Sequence, residues 1–156
     1  MPETADPYEV TTAPERFDLD AIHAYLSRSY WSPGIPRERV ERAIRHSLGF
    51  ALLHHGSDGT QQVGFARVVS DRTSFAYLCD VYVLESHQGR GLGKRLIAAV
   101  AAHPDLQGLR RFMLATSDAH GLYAHFGFKP LGRPERIMEI LDPAPWAREA
   151  GLPIPR

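Results

Sequence analysis

The sequence predicts a mixed α/β fold in the order β-αα-βββ-α-β-α-β. An antiparallel meander of strand-like runs occupies the middle of the chain. A glycine-rich turn leads from the last of these runs into an amphipathic helix, and a second strand-to-helix passage follows.

Tyr8 to Thr12 reads as a short first strand, and Asp18 or Asp20 as the N-cap of a helix through Ile22, Tyr25 and Leu26. The stretch Ser27 to Pro36 breaks the periodicity. Pro36 opens a second helix through Val40, Ala43, Ile44 and Leu48, with Gly49 at its end. Phe50 to His54 and Gln62 to Val69 are β-rich runs joined by the Gly56-Ser-Asp-Gly59 turn. After the turn at Asp71 to Ser74, the run Phe75 to Leu84 is dense in β-branched and aromatic residues. Leu92, Leu96, Ile97, Val100 and Ala101 then recur at helical spacing, so a helix is expected from about Gly91 to His103, stopped by Pro104. Arg111 to Ala115 reads as a strand, Asp118 to Phe126 as a helix and Arg136 to Leu141 as a last strand. The proline-rich tail, 142–156, shows no regular pattern.

At 156 residues the chain is expected to form a single domain, 1–156, burying about two thirds of its unfolded surface. Its 18 basic and 18 acidic residues cancel, which argues against nucleic acid and anionic membrane as partners. Cys79 is the one cysteine, so neither an internal disulfide nor a thiolate zinc site can form, and the histidines show no metal-ligand spacing. The first residues lack a basic segment followed by an apolar core, and no apolar run approaches a membrane span; a soluble cytoplasmic protein is expected.

The chemistry concentrates at Gln88-Gly89-Arg90-Gly91-Leu92-Gly93-Lys94-Arg95, between a strand and a helix. Glycines let the backbone approach a ligand, the first amides of a helix lack internal acceptors, and the helix dipole favours anions there. Arg90, Lys94 and Arg95 add charge, which suits a pyrophosphate. A dinucleotide fingerprint is excluded, because the position three after Gly91 is Lys94 and that after Gly93 is Leu96. A Walker loop is excluded as well: Gly89 and Gly93 are four apart, and Arg95 rather than Ser or Thr follows Lys94.

This stretch resembles motif A of the GNAT superfamily of N-acyltransferases, Gln/Arg-x-x-Gly-x-Gly/Ala after the fourth strand. Leu114-Ala-Thr-Ser-Asp-Ala-His-Gly-Leu-Tyr-Ala-His-Phe-Gly-Phe128 resembles motif B of the same family, and the likeness extends over about Phe17 to Leu141. It implies a GNAT fold with a splayed central strand pair, acetyl-CoA as acyl donor, and direct transfer to an amine of a small molecule or peptide in a ternary complex. A module that binds acyl-CoA as a sensor, without efficient turnover, is the alternative. The backbone of Val81, Tyr82 and Val83 is then expected to pair with the pantetheine arm. Gln88, Gly89, Arg90, Gly91, Leu92, Gly93 and Lys94 hold the pyrophosphate.

In the same likeness Tyr123 matches the motif B tyrosine that gives a proton or hydrogen bond to the departing sulfur. Thr116 stands where many relatives carry a cofactor-binding asparagine. Asp80 is a candidate base or ammonium acceptor, with Asp71, Glu85 and His120 as competitors; alternation places Cys79 with Val81 and Val83 on one strand face and Asp80 with Tyr82 on the other. Tyr30 and Trp31, on the stiff break between the first helices, and Tyr77 are expected to shape the acceptor site together with Asp80. Direct transfer leaves Cys79 no nucleophilic role. A homodimer is compatible with the family, and the tail residues Trp146, Leu152 and Ile154 offer apolar surface for a neighbour or for the chain's own body.

Overall fold

The computed structural model describes residues 5–153, so Ile154 lies outside the described residues. Strands β1 (Tyr8–Thr11), β2 (Leu48–Gly56), β3 (Gly59–Ser70), β4 (Phe75–Val83) and β5 (Arg111–Leu114) form one sheet in that spatial order. Neighbours are antiparallel except β4 and β5, which run parallel because α3 (Leu92–Ala102) crosses between them. Helices α1 (Leu19–Leu26) and α2 (Arg37–Arg45) cover one face. There Ile22, Leu26 and Val40 pack on Ala51, Leu53, Phe65 and Tyr82. On the other face α3 and α4 (His120–Ala124) bring Leu96, Ile97, Val100 and Tyr123 onto Phe50, Leu52, Val68 and Leu78. With apolar contacts on both faces, β2 is buried through most of its length instead of alternating.

Asp18, of the two cap candidates, accepts from the Ala21 amide and starts α1. Pro36 is the N-cap of α2, but that helix stops at Arg45, three residues short of the expected Leu48. Leu48 and Gly49 instead open β2, paired with Val68 and Arg67. Gly49 is small for a packing reason, since a Cβ there would meet the Phe17 ring at 2.5 Å. Gly64 has a similar reason inside β3: its missing Cβ would sit 2.8 Å from the Tyr82 carbonyl oxygen.

Two expectations fail at the C-terminal end. Residues 136–141 are not a strand: Pro134–Arg136 is a 3-10 turn, and residues 137–141 pair with nothing among the described residues. The tail is not patternless either, because α5 (Pro145–Ala150) forms with Pro at its first position and Gly151 left-handed at its end. These outcomes are linked. The α5 segment docks beside the α1–α2 connection, with the Arg39 guanidinium 5.0 Å from the Trp146 ring and Ala144 and Ala147 buried. Residues 137–143 connect the turn at Arg136 to that anchor and do not pair with β5. The motif B helix is also shorter than expected, five residues ending at Ala124, with His125 as its C-cap and Gly127 left-handed further on.

The Gly64 contact is with main chain, which has little room to move. Gly64→Ala is expected to lower unfolding free energy by about 1–3 kcal/mol, measured by urea denaturation; an unchanged midpoint would mean that β3 and β4 relax freely there.

Candidate active site

Pairing between β4 and β5 covers Phe75 to Leu78 opposite Arg111 to Leu114 and then stops. Beyond Leu78, β4 continues to Val83 on β3 alone, and a cleft of about 1290 Å³ opens where β5 has parted from it. The cause lies in β4 itself. Its register with β3 shifts by one residue between Phe65 and Arg67, and Asp80 takes a left-handed φ of +55°. A non-glycine residue holds that conformation only when its surroundings fix it.

Those surroundings are two directed bonds. Arg67 Nε donates to Asp80 Oδ2 at 2.7 Å, and Trp31 Nε1 donates to Oδ1 at 3.0 Å. Arg67 also donates to Ser47 Oγ at 3.0 Å, and Ser47 donates to the Ala43 carbonyl at 2.6 Å. The side chains of Asp80 and Arg67 are only 9% and 18% exposed, so this pair is poorly screened and holds the bulge to α2 and to the α1–α2 loop. Sequence reading placed Asp80 and Trp31 in one site but missed Arg67 and Ser47. The available signal was a lone cation inside the apolar run Val63-Gly-Phe-Ala-Arg-Val-Val69.

The bulge also inverts the alternation expected along β4. Val81 and Val83 share the α3 side with Ala76 and Leu78, whereas Cys79 pairs with Arg67 and lies on the face of Tyr82. Cys79 therefore does not share a face with Val81 and Val83. Burial pushes its thiol up to about 12, which leaves it protonated and inert.

Of the predicted residues, Tyr30, Trp31, Tyr77, Asp80, Val81, Tyr82, Val83, Gln88, Gly93, Thr116 and Tyr123 line the cleft, whereas Gly89, Arg90, Gly91, Leu92 and Lys94 do not, and Leu92 packs into the core. Tyr30 reaches across the cleft, its hydroxyl accepting from Ser117 Oγ at 2.8 Å, so the α1–α2 loop is strapped to the β5–α4 loop. Trp31 lies edge-on to Tyr30 at 5.1 Å, and Tyr82 stacks on Tyr25 at 3.8 Å. Tyr77 lines the wall nearer β5, its phenol raised by burial. Tyr123 is 8% exposed, and burial pushes its phenol up to about 12. Among the described residues nothing hydrogen-bonds its hydroxyl, and that oxygen is not enclosed; it opens on the cleft. Thr116 Oγ1 accepts from the Ala119 amide at 3.1 Å and so caps the approach to α4.

Between Gln88 and Gly93, which line the cleft's other end, Gly89 and Gly91 have φ of +79° and +74°, and the space a Cβ would take at either is open. Among the described residues, none of the backbone N–H groups from Gly89 to Lys94 donates to a protein acceptor. Gln88 donates through Nε2 to the Val83 carbonyl at 2.8 Å and ties this turn to the end of β4. Arg90 donates to the Tyr8 hydroxyl at 3.1 Å, which also meets His87 Nδ1 at 2.8 Å; neither Tyr8 nor His87 was anticipated here. Arg95 turns away to β1, bonding the Tyr8 carbonyl at 2.7 Å and Asp6, so it is not one of the loop's anion donors. The turn thus combines unpartnered amides, a helix N-terminus and room for close approach. These features fit a diphosphate, and the unpaired length of β4 fits an extended pantetheine chain.

The same regions carry the likeness to known proteins. A family model described as "Acetyltransferase (GNAT) domain" matches residues 47–130. A Gibberella zeae protein with an acetyltransferase name is 35% identical over 139 residues, 77% of each chain. N-alpha-acetyltransferase 80 of Mus musculus is 38% identical over 133 residues, which are 76% of this chain but 40% of that protein. A solved GNAT-family acetyltransferase structure from Xanthomonas campestris superposes with a TM-score of 0.84 at 52% identity, covering 90% of this chain and 96% of that one. With these likenesses spread over the splayed strands, the glycine turn and the strand-to-helix passage at Tyr123, the chain belongs to the GNAT family and is an acetyltransferase.

Proposed function

We propose that this enzyme moves an acetyl group from acetyl-CoA directly to an amine of a small molecule or peptide, within a ternary complex. The observation that carries this reading is the cleft beyond Leu78, which has unpartnered amides at one end and the unbonded Tyr123 hydroxyl inside it. Acetyl-CoA supplies the thioester carbonyl that the amine attacks.

The chain's own part is positioning and proton handling. Amides from Gly89 to Lys94, with the Arg90 and Lys94 cations, hold the diphosphate, and Leu92 and Gly93 bring the first turn of α3 against it. The main chain of Val81, Tyr82 and Val83 offers strand-like hydrogen bonds to the pantetheine arm. Gln88 acts by fixing the turn, and Thr116 by fixing the start of α4. Tyr123 keeps its proton on the phenol oxygen for the departing thiolate. Asp80, held by Arg67 and Trp31, keeps lone pairs free to accept from the incoming amine and orient it, while Tyr30, Trp31 and Tyr77 form the wall around that amine. Water in the open cleft takes the proton the amine releases.

Three measurements test this arrangement. Tyr123→Phe is expected to lower kcat about a hundredfold with little change in acetyl-CoA affinity; equal turnover would remove Tyr123 from the mechanism. Gly91→Glu sets bulk and negative charge where the diphosphate belongs. It is expected to abolish acetyl-CoA binding by titration calorimetry while Gly91→Ala, which shares only the backbone strain, retains most of it.

The pH profile follows from burial. Because the Tyr123 phenol is raised to about 12, above its unfolded value, its proton is retained across the neutral range. Stability that depends on that proton is complete below about pH 10 and declines only as pH rises towards the folded value. Consequently kcat/KM should rise as the acceptor amine deprotonates and show no falling limb below about pH 10. A decline between about pH 8 and 9 would contradict Tyr123 as the proton holder.

A further inference from the structure

Next to the glycine turn lies a group of side chains that the transfer chemistry leaves unused. The Tyr8 ring of β1, the His54 ring of β2 and the His87 ring of the 3-10 turn Glu85–His87 form a triangle. Ring centroids are 4.9 Å apart for Tyr8 and His54, 5.7 Å for Tyr8 and His87, and 5.0 Å for the two histidines. All three are half-buried. Arg90, from the glycine turn itself, joins the group through the Tyr8 hydroxyl.

The direction of the hydrogen bonds fixes the protonation of this group. A guanidinium can only donate, so the Tyr8 oxygen accepts from Arg90 at 3.1 Å and its own proton goes to His87 Nδ1 at 2.8 Å. That relay needs a bare Nδ1, hence a neutral His87 with its proton on Nε2. Burial, with His54 and Arg90 as neighbouring cations, likewise holds His87 below the usual imidazole value. Among the described residues no carboxylate relieves the group: His54, His87 and Arg90 enter no ion pair. Asp6 accepts from the Tyr8 amide and is paired with Arg95. Glu9 is taken by Arg16 and by His55, whose ring bonds Glu9 and Thr60. Glu85, on the turn of His87, is exposed and makes no ion pair among the described residues. Cationic and protonatable groups are thus gathered beside the glycine turn without an anion of the chain's own, and an anionic ligand supplies what is missing.

We propose, on the reading of residues 89–94 as a diphosphate cradle, that Tyr8, His54 and His87 are positioning residues of the donor site and that acetyl-CoA binding draws a proton onto the His54–His87 pair. In the free protein Tyr8 holds the Arg90 guanidinium at the turn while His87 stays neutral. A bound diphosphate sets negative charge beside the pair and favours the imidazolium. Two imidazolium rings 5.0 Å apart oppose each other, so the pair takes up one proton, not two. The proton's contribution to affinity is complete below the pair's titration in the free protein and is lost as pH rises through its titration in the complex. Donor affinity therefore rises as pH falls from about 8 to about 6. With acetyl-CoA saturating, this linkage leaves the acceptor's kcat/KM profile untouched.

Titration calorimetry of the full chain between about pH 5.5 and 8.5, in buffers of different ionisation enthalpy, counts the protons taken up. Acetyl-CoA lacking its 3′-phosphate is the probe, because its diphosphate keeps both charges over this range whereas a phosphate monoester titrates at about 6. Uptake should reach roughly half a proton or more per ligand, and affinity should rise about tenfold from about pH 8 to about pH 6, the effect of a one-unit shift of the pair. His54→Gln/His87→Gln should change affinity less than about twofold over the same range. Tyr8→Phe, which keeps the ring and removes both hydrogen bonds, should weaken binding about fivefold at about pH 8. The proton count is made on the unaltered protein and so does not depend on a variant folding. Binding without proton uptake, or a pH trend that survives in the double histidine variant, would overturn the proposal and leave the acetyl-transfer reading intact. Wild-type affinity in Tyr8→Phe would overturn the positioning role. Unaltered protein that binds no acetyl-CoA at any pH would overturn both readings.

Discussion

The ion pair between Arg67 and Asp80 is the constraint on which the cleft depends. A strand that stayed regular through residue 80 would continue in register along both neighbours, and β5 would have no reason to part from it. Instead one extra residue is absorbed at Asp80, whose backbone is left-handed and whose carboxylate is bonded on both oxygens. The conformation costs on the order of 1–3 kcal/mol, which a buried, doubly bonded carboxylate can offset. Ser47 extends the hold to the last turn of α2. The cleft wall is thereby braced by α2 and by the loop between α1 and α2, so the acceptor side is tied to the strand that faces the acyl donor.

The opposite end of the cleft is organised by amides instead of side chains. Left-handed glycines at 89 and 91 accompany successive N–H groups with no protein acceptor among the described residues, and α3 follows at once, so dipole and donors belong to one turn. Side-chain charge is secondary there. Arg95 is engaged by β1, and Arg90 reaches Tyr8, which also touches His87. The first strand is thus tied to the turn, and its place at the far edge of the sheet from β5 does not isolate it from the site.

Much of this was legible in the sequence because it rests on local rules. The glycine spacing, the Asp18 cap, the meander turns and the strand-to-helix order each depend on a few adjacent residues. What escaped depended on partners distant in sequence. Gly49 resembled a helix stop, yet its size is set by the Phe17 ring. Strict alternation gave Cys79 the wrong face, because a bulge reverses parity and nothing near position 80 announces one. Arg67 and Ser47 carried no motif, although a single cation within a buried strand is itself a signal that a buried anion must exist nearby.

The misread strand at 136–141 is informative in a different way. Its residues have strand composition, and composition is a statement about what the segment tolerates, not about which edge it joins. α5 holds the far end on the α1–α2 side and the turn at Arg136 begins the near end, and between them the segment pairs with no strand among the described residues. Met138 and Ile140 are left facing water, so apolar residue type alone does not decide burial there. The strand expected at 136–141 is therefore corrected: residue type supplied the propensity, but the pairing that makes a strand is absent there among the described residues.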